Sequence, residues 1–279
     1  MSYKTLLVHL SNEAVVGSVL EVAIKLAEQH VAHLVGLHVI PAPQVYATDI
    51  GIPMDVSKHF LKQQAEVEAR IRFDFEKKTG SSSFIAEWRT AHPTITSITE
   101  VIVEQANTTD LLIMSSSEGG KADTRFRHLP EHVLMACGRP GIVIPESSSL
   151  ESLGDRILIA WDGRKESTRA VFGALPILKK ASEVRVLRLN LPHQDRHHFA
   201  GITEELARSL ARHDVKIELG HADCRGHEVA EEILGFASDM ASDLIVMGCY
   251  GHSPFREFIL GSTTSQVLKQ ARIPLLMSN

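Results

Sequence analysis

The chain of 279 residues has little cysteine and few aromatic side chains, with three cysteines and 5% Phe, Trp and Tyr. An odd and sparse set of cysteines argues against a disulfide framework, so we expect a reducing compartment. No apolar run approaches the roughly 20 residues that cross a bilayer. The segment after Met1 also lacks the longer apolar stretch of a secretory signal. We therefore expect a cytoplasmic protein that makes no contact with a membrane.

The chain also lacks a strong charge of either sign, since its formal net charge is −5. That balance gives no general attraction to nucleic acid or to an anionic membrane surface, so we expect neither as a partner. The hydrophobic share of 44% and the charged share of 23% are typical of a globular protein. The length allows two ordinary domains, each with its own core.

Three motifs that would announce a catalytic mechanism are missing. The sequence contains no GxxxxGK[ST], which excludes a P-loop. It contains no G-x-S-x-G, which argues against the nucleophile elbow of an α/β-hydrolase. No pair of carboxylates stands out for general acid–base work, and no general base for ATP hydrolysis is evident. If hydrolysis occurs, we expect it to be slow and to depend on a divalent metal on the phosphates.

What the chain does contain is one unit written twice. Apolar strand patterns recur in the same order in both halves and alternate with helix-length amphipathic segments. The matched strand patterns are Lys4–Ser11 with Arg156–Asp162, Val35–Val39 with Val184–Leu189, Asp110–Met114 with Asp243–Met247, and Arg139–Ile144 with Ile273–Met277. The predicted helices are Ala14–His30, Phe60–Lys78, Thr94–Asn107, His128–Ala136, Glu166–Lys180, Ala200–His213, His227–Met240 and Ser262–Gln270.

Strands that alternate with helices predict βαβ units and parallel sheets, with five strands and four helices in each half. We place a first domain at residues 1–145, a linker at 146–155 and a second domain at 156–279. The first half is longer because of a loop-like segment, Pro41–His59, that carries three prolines and a glycine. This segment is open to three interpretations: a lid, an interface arm or a tolerated insertion.

The most informative motif is Gly248-Cys249-Tyr250-Gly251, followed after nine residues by Gly261-Ser262-Thr263-Thr264. It follows an apolar run that reads as a buried strand, and it precedes a helix that begins with N-capping residue types. Glycines let a ligand approach the backbone, and the free N–H groups of a first helical turn attract anions. The motif therefore predicts a site for phosphate.

This spacing, G-x2-G-x9-G-[ST], resembles the nucleotide-binding branch of the universal stress protein family. The strand end Ala160-Trp161-Asp162-Gly163 is similar to the aspartate turn of that family. The resemblance covers the whole chain as a tandem pair of domains. It implies an α/β fold of two doubly wound, five-stranded parallel-sheet domains with strand order 3-2-1-4-5, which is the adenine nucleotide alpha hydrolase-like fold. It also implies a stress-response protein that binds ATP (or AMP/ADP), with Mg or Mn on the phosphates.

The resemblance assigns roles to particular residues of the second half. Backbone groups near Asp162 and Leu189 would read the adenine edge, and the Asp162 carboxylate would accept a hydrogen bond from the ribose. Gly248 would lie against the ribose, while Gly251 and the turn at Gly261 would cradle the phosphates. His252 and Arg256 would add positive charge. The complete predicted ATP-binding set is Ala160, Asp162, Leu189, Met247, Gly248, Gly251, His252, Gly261, Ser262 and Thr263.

Simpler interpretations of the same residues remain open. Asp162 can be an ordinary turn or N-cap acid before the next helix. Gly248 and Gly251 can serve tight packing between a strand and a helix. The short cluster of His221, Asp223, Cys224 and His227 can bind zinc, although it matches no standard spacing and an ordinary His-rich loop is the favoured interpretation.

The first half has lost this motif. Ser11 stands where Asp162 does, and Ser115 and Glu118 stand where Gly248 and Gly251 do. Arg127 and His128 fall near the positions of Gly261 and Ser262. A carboxylate at a phosphate loop repels phosphate, and the missing glycines add Cβ atoms. We expect no nucleotide in the first half and one nucleotide per chain.

The fifth strand of each half is a predicted edge strand with apolar residues, which needs covering. The family pairs fifth strands across a dimer interface, so we expect Gly141–Ile144 to pair antiparallel with Leu275–Met277 within the chain. A further homodimer is possible. The favoured functional hypothesis is a nucleotide-dependent switch or scaffold. The alternatives are a weak metal-dependent ATPase and a nucleotide-free scaffold or binder of an apolar small molecule.

Overall fold

The strands of the chain form one sheet of ten strands in the described residues of the computed structural model. These residues are 2–41, 54–93, 96–116, 126, 128–146, 148, 152–190, 196–223, 228–251 and 262–279. The strands of the first half are β1 (Thr5–His9), β2 (His33–Val39), β3 (Ala86–Ala91), β4 (Leu111–Ser115) and β5 (Gly141–Ile144). Those of the second half are β6 (Arg156–Trp161), β7 (Glu183–Asn190), β8 (Glu218–Asp223), β9 (Leu244–Gly248) and β10 (Leu275–Ser278).

Most helices overlap the predicted amphipathic segments, although α7 begins four residues before the predicted Ala200. In the first half they are α1 (Glu13–His30), α2 (Met54–Thr79), α3 (Ile98–Ala106) and α4 (Leu129–Ala136). In the second half they are α5 (Lys165–Gly173), α6 (Leu175–Leu178), α7 (Arg196–Arg212), α8 (Val229–Asp239) and α9 (Ser262–Gln270).

Two helix predictions need correction. The single helix predicted over Glu166–Lys180 is two helices, α5 and α6, because Pro176 lies in the first turn of α6 and cannot continue a preceding helix. The segment Pro41–His59 is not wholly loop-like, since α2 already begins at Met54. Residues 42–53 of that segment lie outside the described residues.

The strand order is β3-β2-β1-β4-β5-β10-β9-β6-β7-β8. Each half therefore has the predicted order 3-2-1-4-5, and within each half every pair of neighbours is parallel. The halves meet where β5 pairs antiparallel with β10, with Leu276 opposite Ile142. The predicted pairing of the two fifth strands is thus present in the structure.

Apolar layers cover both faces of the sheet, which explains why its central strands are nearly continuous runs of Leu, Ile and Val. Alternate residues enter opposite layers, as Leu6 and Leu7 do in β1. Each layer contains residues of both halves, so the two cores are continuous across the β5–β10 boundary.

Polar contacts also cross this boundary. The Tyr3 hydroxyl donates to the Gly173 carbonyl oxygen at 2.7 Å, and the Tyr3 side chain is buried. The Lys180 ammonium donates to the Gln29 carbonyl oxygen. A Cβ on Gly173 would lie 2.9 Å from the Pro140 ring, so the end of α5 packs closely against the first half.

Candidate functional site

The predicted site residues gather at the point where strand order reverses in the second half. There β6 lies beside β9, with Ala160 opposite Met247 in register, and the chain continues from these two strands to helices on opposite faces. Ala160 and Met247 are buried at 6% and 5% exposure. In open α/β sheets, ligands bind in the crevice outside the carboxyl ends of such a strand pair. Asp162 follows β6 directly, and Gly248 ends β9.

Asp162 organises the start of α5. Its Oδ1 atom accepts hydrogen bonds from the Arg164 backbone N–H at 3.1 Å and from the Ser167 hydroxyl at 2.6 Å. Its Oδ2 atom lies 4.0 Å from the Arg164 Nε, and the side chain is 36% exposed. The turn role that the sequence left open is therefore present. The Oδ1 atom is thus taken by this turn, and the Oδ2 atom lies beside the Arg164 guanidinium.

Gly248 is required by packing. A Cβ at this position would lie 2.5 Å from the Ser167 backbone nitrogen and 2.8 Å from the Glu166 carbonyl carbon. Both are backbone atoms of the first turn of α5, which cannot yield as a flexible side chain would. The glycine thus lets β9 end directly against α5, which brings the ends of β6 and β9 to one crevice.

Gly251 lies above a buried carboxylate. A Cβ on Gly251 would be 3.1 Å from the Glu166 Oε2 atom and 3.7 Å from the Arg164 Cδ atom. Glu166 is only 5% exposed. Burial, with the Glu166 charge as the second cause, raises the pKa of the neighbouring Cys249 thiol to about 12. The Cys249 thiol is fully buried and is held as the neutral form at neutral pH.

Tyr250 shapes the turn between the two glycines. Its backbone is left-handed, with φ +56°, an uncommon conformation for a residue with a side chain. Its N–H donates to the Thr264 hydroxyl in α9 at 3.4 Å, which links the end of β9 to the start of that helix. Burial raises the pKa of the Tyr250 hydroxyl, and the Glu131 carboxylate of the first half raises it further.

The structure brings six of the ten predicted residues to this edge. Ala160, Asp162, Met247, Gly248 and Gly251 lie at the ends of β6 and β9, and Leu189 is the penultimate residue of neighbouring β7. Ser262 and Thr263 open α9, where Thr263 is half-buried. His252, Arg256 and Gly261 lie outside the described residues, and so does the side chain of Ser262.

The predicted zinc cluster is only partly described. His221 and Asp223 belong to β8, and the His221 side chain is exposed. Cys224 and His227 lie outside the described residues. Within the described part of the chain, no three His, Cys, Asp or Glu side chains converge as a metal site would require.

The matching crevice of the first half is built differently. Ser115 ends β4 and Ser11 follows β1, both buried. Asn12, not an aspartate, caps α1 by accepting from the Ala14 N–H at 3.0 Å. His128 precedes α4 in a left-handed conformation, and its Nδ1 lies 2.9 Å from Glu131. Glu118 and Arg127 lie outside the described residues.

A cavity of about 400 Å³ lies between α4 of the first half and the end of α9. Its wall includes Ser116, Glu131, Pro145 and Leu268. It mixes carboxylate, ammonium and apolar groups with no convergent set, so we assign it no ligand.

Sequence reasoning missed Glu166 and Tyr250 as parts of the site. In the sequence Glu166 marks only the start of a predicted helix, where the helix dipole favours an acid. Only the close approach of β9 to α5 buries it. Tyr250 occupied an unspecified position of the glycine motif, and no sequence signal marks its left-handed backbone.

The fold is that of a doubly wound α/β protein. In its second half the point where the strand order reverses forms a crevice of the kind in which such proteins bind ligands. Residues 154–279 match the model of the universal stress protein family. The second half of the chain therefore carries a universal stress protein domain.

Relatives and solved structures agree with this assignment. A universal stress protein of Synechocystis sp. is 29% identical over 150 residues, which are 52% of this chain and 49% of the relative. One of Methanocaldococcus jannaschii is 40% identical over 47 residues, 17% of this chain and 29% of that relative. The matches thus span half or less of these curated relatives. A universal stress protein of Archaeoglobus fulgidus has the same fold over 99% of this chain and 98% of its own, with a TM-score of 0.73 and 18% identity.

No helix among the described residues combines the length and the apolar character that a membrane crossing needs.

Proposed function

We propose that the second half binds an adenine nucleotide, ATP or AMP/ADP, with one site per chain. The observation that carries this proposal is the convergence of Asp162, the Gly248–Gly251 turn and the start of α9 at one strand reversal. The first half, with the same strand order, has Ser115 where the second has Gly248. A crevice of this kind is where doubly wound proteins take nucleotides.

Each group would act on a different part of the nucleotide. Backbone groups of Ala160 and Leu189 would meet the adenine edge, and the Oδ2 atom of Asp162 would accept from a ribose hydroxyl. The N–H groups at the start of α9, with the Ser262 and Thr263 hydroxyls, would hold phosphate, since the first helical turn has free donors. Bound Mg or Mn would neutralise part of the phosphate charge.

The proposed role is a switch or scaffold in the stress response. A ligand that binds one conformation more tightly stabilises that conformation. The Tyr250 N–H bond to Thr264 ties the glycine turn to α9, and the Glu131 charge reaches Tyr250 from the first half. Occupancy of the second half would therefore be felt at the boundary between the halves.

The choice of nucleotide needs a direct test. Two solved universal stress proteins hold cAMP and dAMP, but their folds match this chain at TM-scores of 0.36 and 0.34. That likeness is too low to carry a ligand across, so these nucleotides enter only as compounds to test.

The decisive experiment has two steps. The purified chain is denatured and the released small molecule is identified by mass spectrometry. The nucleotide-free chain is then titrated with ATP, ADP, AMP and cAMP in the presence of Mg²⁺ or Mn²⁺, by calorimetry and by thermal shift. We expect an adenine nucleotide to bind with a stoichiometry of one. No released nucleotide, no calorimetric signal and no rise in melting temperature together would overturn the proposal.

A pair of variants separates ligand contact from folding. Asp162→Asn keeps an oxygen for the Arg164 N–H and the Ser167 hydroxyl but loses the second acceptor. We expect nucleotide affinity to fall about 10-fold or more while the melting temperature changes little, because hydrogen bonds to charged groups contribute about 1.5–3 kcal/mol. The control is Asn12→Asp at the matching helix start of the first half, which should leave nucleotide affinity unchanged. Equal affinity in wild type and Asp162→Asn would remove Asp162 from the site.

A further inference from the structure

Glu166 is a buried carboxylate inside the proposed phosphate region. It lies in the first turn of α5, its side chain is 6% exposed, and its Oε2 atom would be 3.1 Å from a Cβ on Gly251. The Oε2 atom therefore lies within about 5 Å of the Gly251 Cα. Gly251 itself is exposed, so it separates this carboxylate from the open side of the crevice.

Among the described residues, the ion pair of Glu166 is made with an exposed cation. The Lys165 ammonium lies 3.5 Å from the Glu166 Oε1 atom. Because the Lys165 side chain is 72% exposed, water weakens this ion pair. The Arg164 stem passes beside Gly251, and its guanidinium lies 4.0 Å from the Asp162 carboxylate. In the part of the crevice that the structure describes, two carboxylates, Asp162 and the buried Glu166, are present before any phosphate enters.

A phosphate held at the Gly251 turn would meet the Glu166 charge through little water. Like charges a few ångströms apart repel strongly when one of them is buried, and salt screens such a pair poorly. The same repulsion, from Glu118, is one reason why we expect no nucleotide in the first half. The second half therefore needs a device that makes a polyphosphate acceptable beside Glu166.

We propose that Glu166 makes this site selective for metal-loaded nucleotide polyphosphates over the free anions. The inference rests on the proposed function. A divalent cation on the phosphates lowers their charge and lies favourably in the field of Glu166, whereas free ATP meets the buried carboxylate with its full charge. The requirement for metal should grow with the number of phosphates, and adenosine should show none.

The first test uses the wild-type chain. Affinities for adenosine, AMP, ADP and ATP are measured by calorimetry with excess Mg²⁺ and again with EDTA. We expect the ratio of the two affinities to be near one for adenosine and to rise stepwise to about 100-fold for ATP. A ratio for ATP as small as that for adenosine would overturn the inference while leaving nucleotide binding in place.

The second test assigns the effect to Glu166. Glu166→Gln keeps the shape and an oxygen for Lys165 but removes the charge. We expect its affinity for ATP in EDTA to rise about 10-fold or more, with adenosine affinity unchanged. The matched control is Glu13→Gln, which neutralises a glutamate in the first turn of α1, the helix of the first half that corresponds to α5, and should keep the wild-type ratio.

The outcomes distinguish the two proposals. If the wild type binds no nucleotide even with Mg²⁺, the proposed function fails and this inference fails with it. If the wild type binds but Glu166→Gln keeps the wild-type ratio, only the inference fails. Circular dichroism and melting of each variant show that it is folded. If Glu166→Gln does not fold, Glu166→Met takes its place, because methionine fills a similar volume without a charge and should give the same rise in ATP affinity in EDTA.

Discussion

The two halves share their fold and differ at one crevice, and the comparison separates residues that serve folding from residues that serve a site. In both halves an aspartate just before the fourth strand holds the start of the first strand. Asp110 accepts from the Lys4 and Thr5 N–H groups at 2.7 and 3.0 Å. Asp243 accepts from the Asp155 and Arg156 N–H groups, both at 3.0 Å, and from the Ser152 hydroxyl at 2.6 Å.

The end of the fourth strand is not shared. The last residue of β4 is Ser115, which has a side chain, whereas the last residue of β9 is Gly248. The first turn of α5 packs directly against the backbone of Gly248. A Cβ at Ser115 forbids the approach that Gly248 permits. Both halves thus keep the aspartate that binds the start of the first strand, Asp110 or Asp243. Only the second half has the close contact between the fourth strand and the following helix α5 at Gly248.

The largest expected change in stability comes from giving Gly248 a side chain, as Ser115 has in the first half. Gly248→Ala should destabilise the chain by about 3 kcal/mol, because the new Cβ must push apart backbone atoms of β9 and α5. Chemical denaturation measures the change. Gly235→Ala is the control, since a Cβ there meets nothing within 4 Å and an exposed helical glycine gains up to about 1 kcal/mol as alanine. A loss below that of an ordinary surface variant would show that Gly248 is not needed for packing.

Asp110 and Asp243 should contribute about equally to the free energy of unfolding. We expect Asp110→Ala and Asp243→Ala each to cost about 2 kcal/mol, because each removes charged acceptors from two strand N–H groups. Denaturation of both single variants tests the similarity of the halves. A cost in one half and none in the other would contradict a shared folding role.

Low pH should destabilise the protein mainly through buried histidines of the first half. Among the described residues the buried histidines are His9, His30 and His38, all in that half. Burial lowers the pKa of His30 to about 4, with Lys180 as a second cause, and burial also lowers the pKa of His38. The unfolded chain then binds more protons below pH 6.5, so stability is complete above that pH and is lost as the pH falls toward 4.

We expect the loss between pH 6.5 and 4.5 to be about 1.5 kcal/mol for His30. The measurement is the denaturation midpoint against pH for wild type, His30→Gln and, as a control in the second half, His213→Gln. His30→Gln should flatten the slope over this range, and His213→Gln should retain it. An unchanged slope in His30→Gln would exclude His30 as its source.

The smallest effect concerns the seam between the halves. Tyr3→Phe removes the bond to the Gly173 carbonyl and should cost about 1 kcal/mol, typical of one buried hydrogen bond. Because both apolar layers run across the boundary, we expect wild type and variant to unfold in one transition seen alike by Trp88 and Trp161 fluorescence. Two separate transitions would show that the halves fold as independent units.

Much of this architecture could be predicted from the chain itself. The repeated patterns located four of the five strands in each half, in their order along the chain, because strands buried on both faces must be apolar throughout. Gly173-Ala174-Leu175-Pro176 was misread because the amphipathic pattern continues through the break between α5 and α6. The start of α2 was misread because the residues before Phe60 carry little periodicity.

The site was predictable only in outline. The motif placed Asp162, Gly248 and Gly251 at the correct strand ends, but the packing role of Gly248 and the buried charge of Glu166 depend on atoms brought together from different elements. The division into residues 1–145 and 156–279 stays a prediction, since the sheet and both cores run through the boundary.

By itself, the sequence determined the repeat, the periodicity and the loss of the glycine motif in the first half, because these are patterns of residue type along one chain. Only the tertiary structure decided that both apolar layers run across the β5–β10 boundary, and that α5 presses Glu166 beneath Gly251. Those outcomes depend on distances across the fold, where one missing Cβ decides how closely a helix approaches a strand.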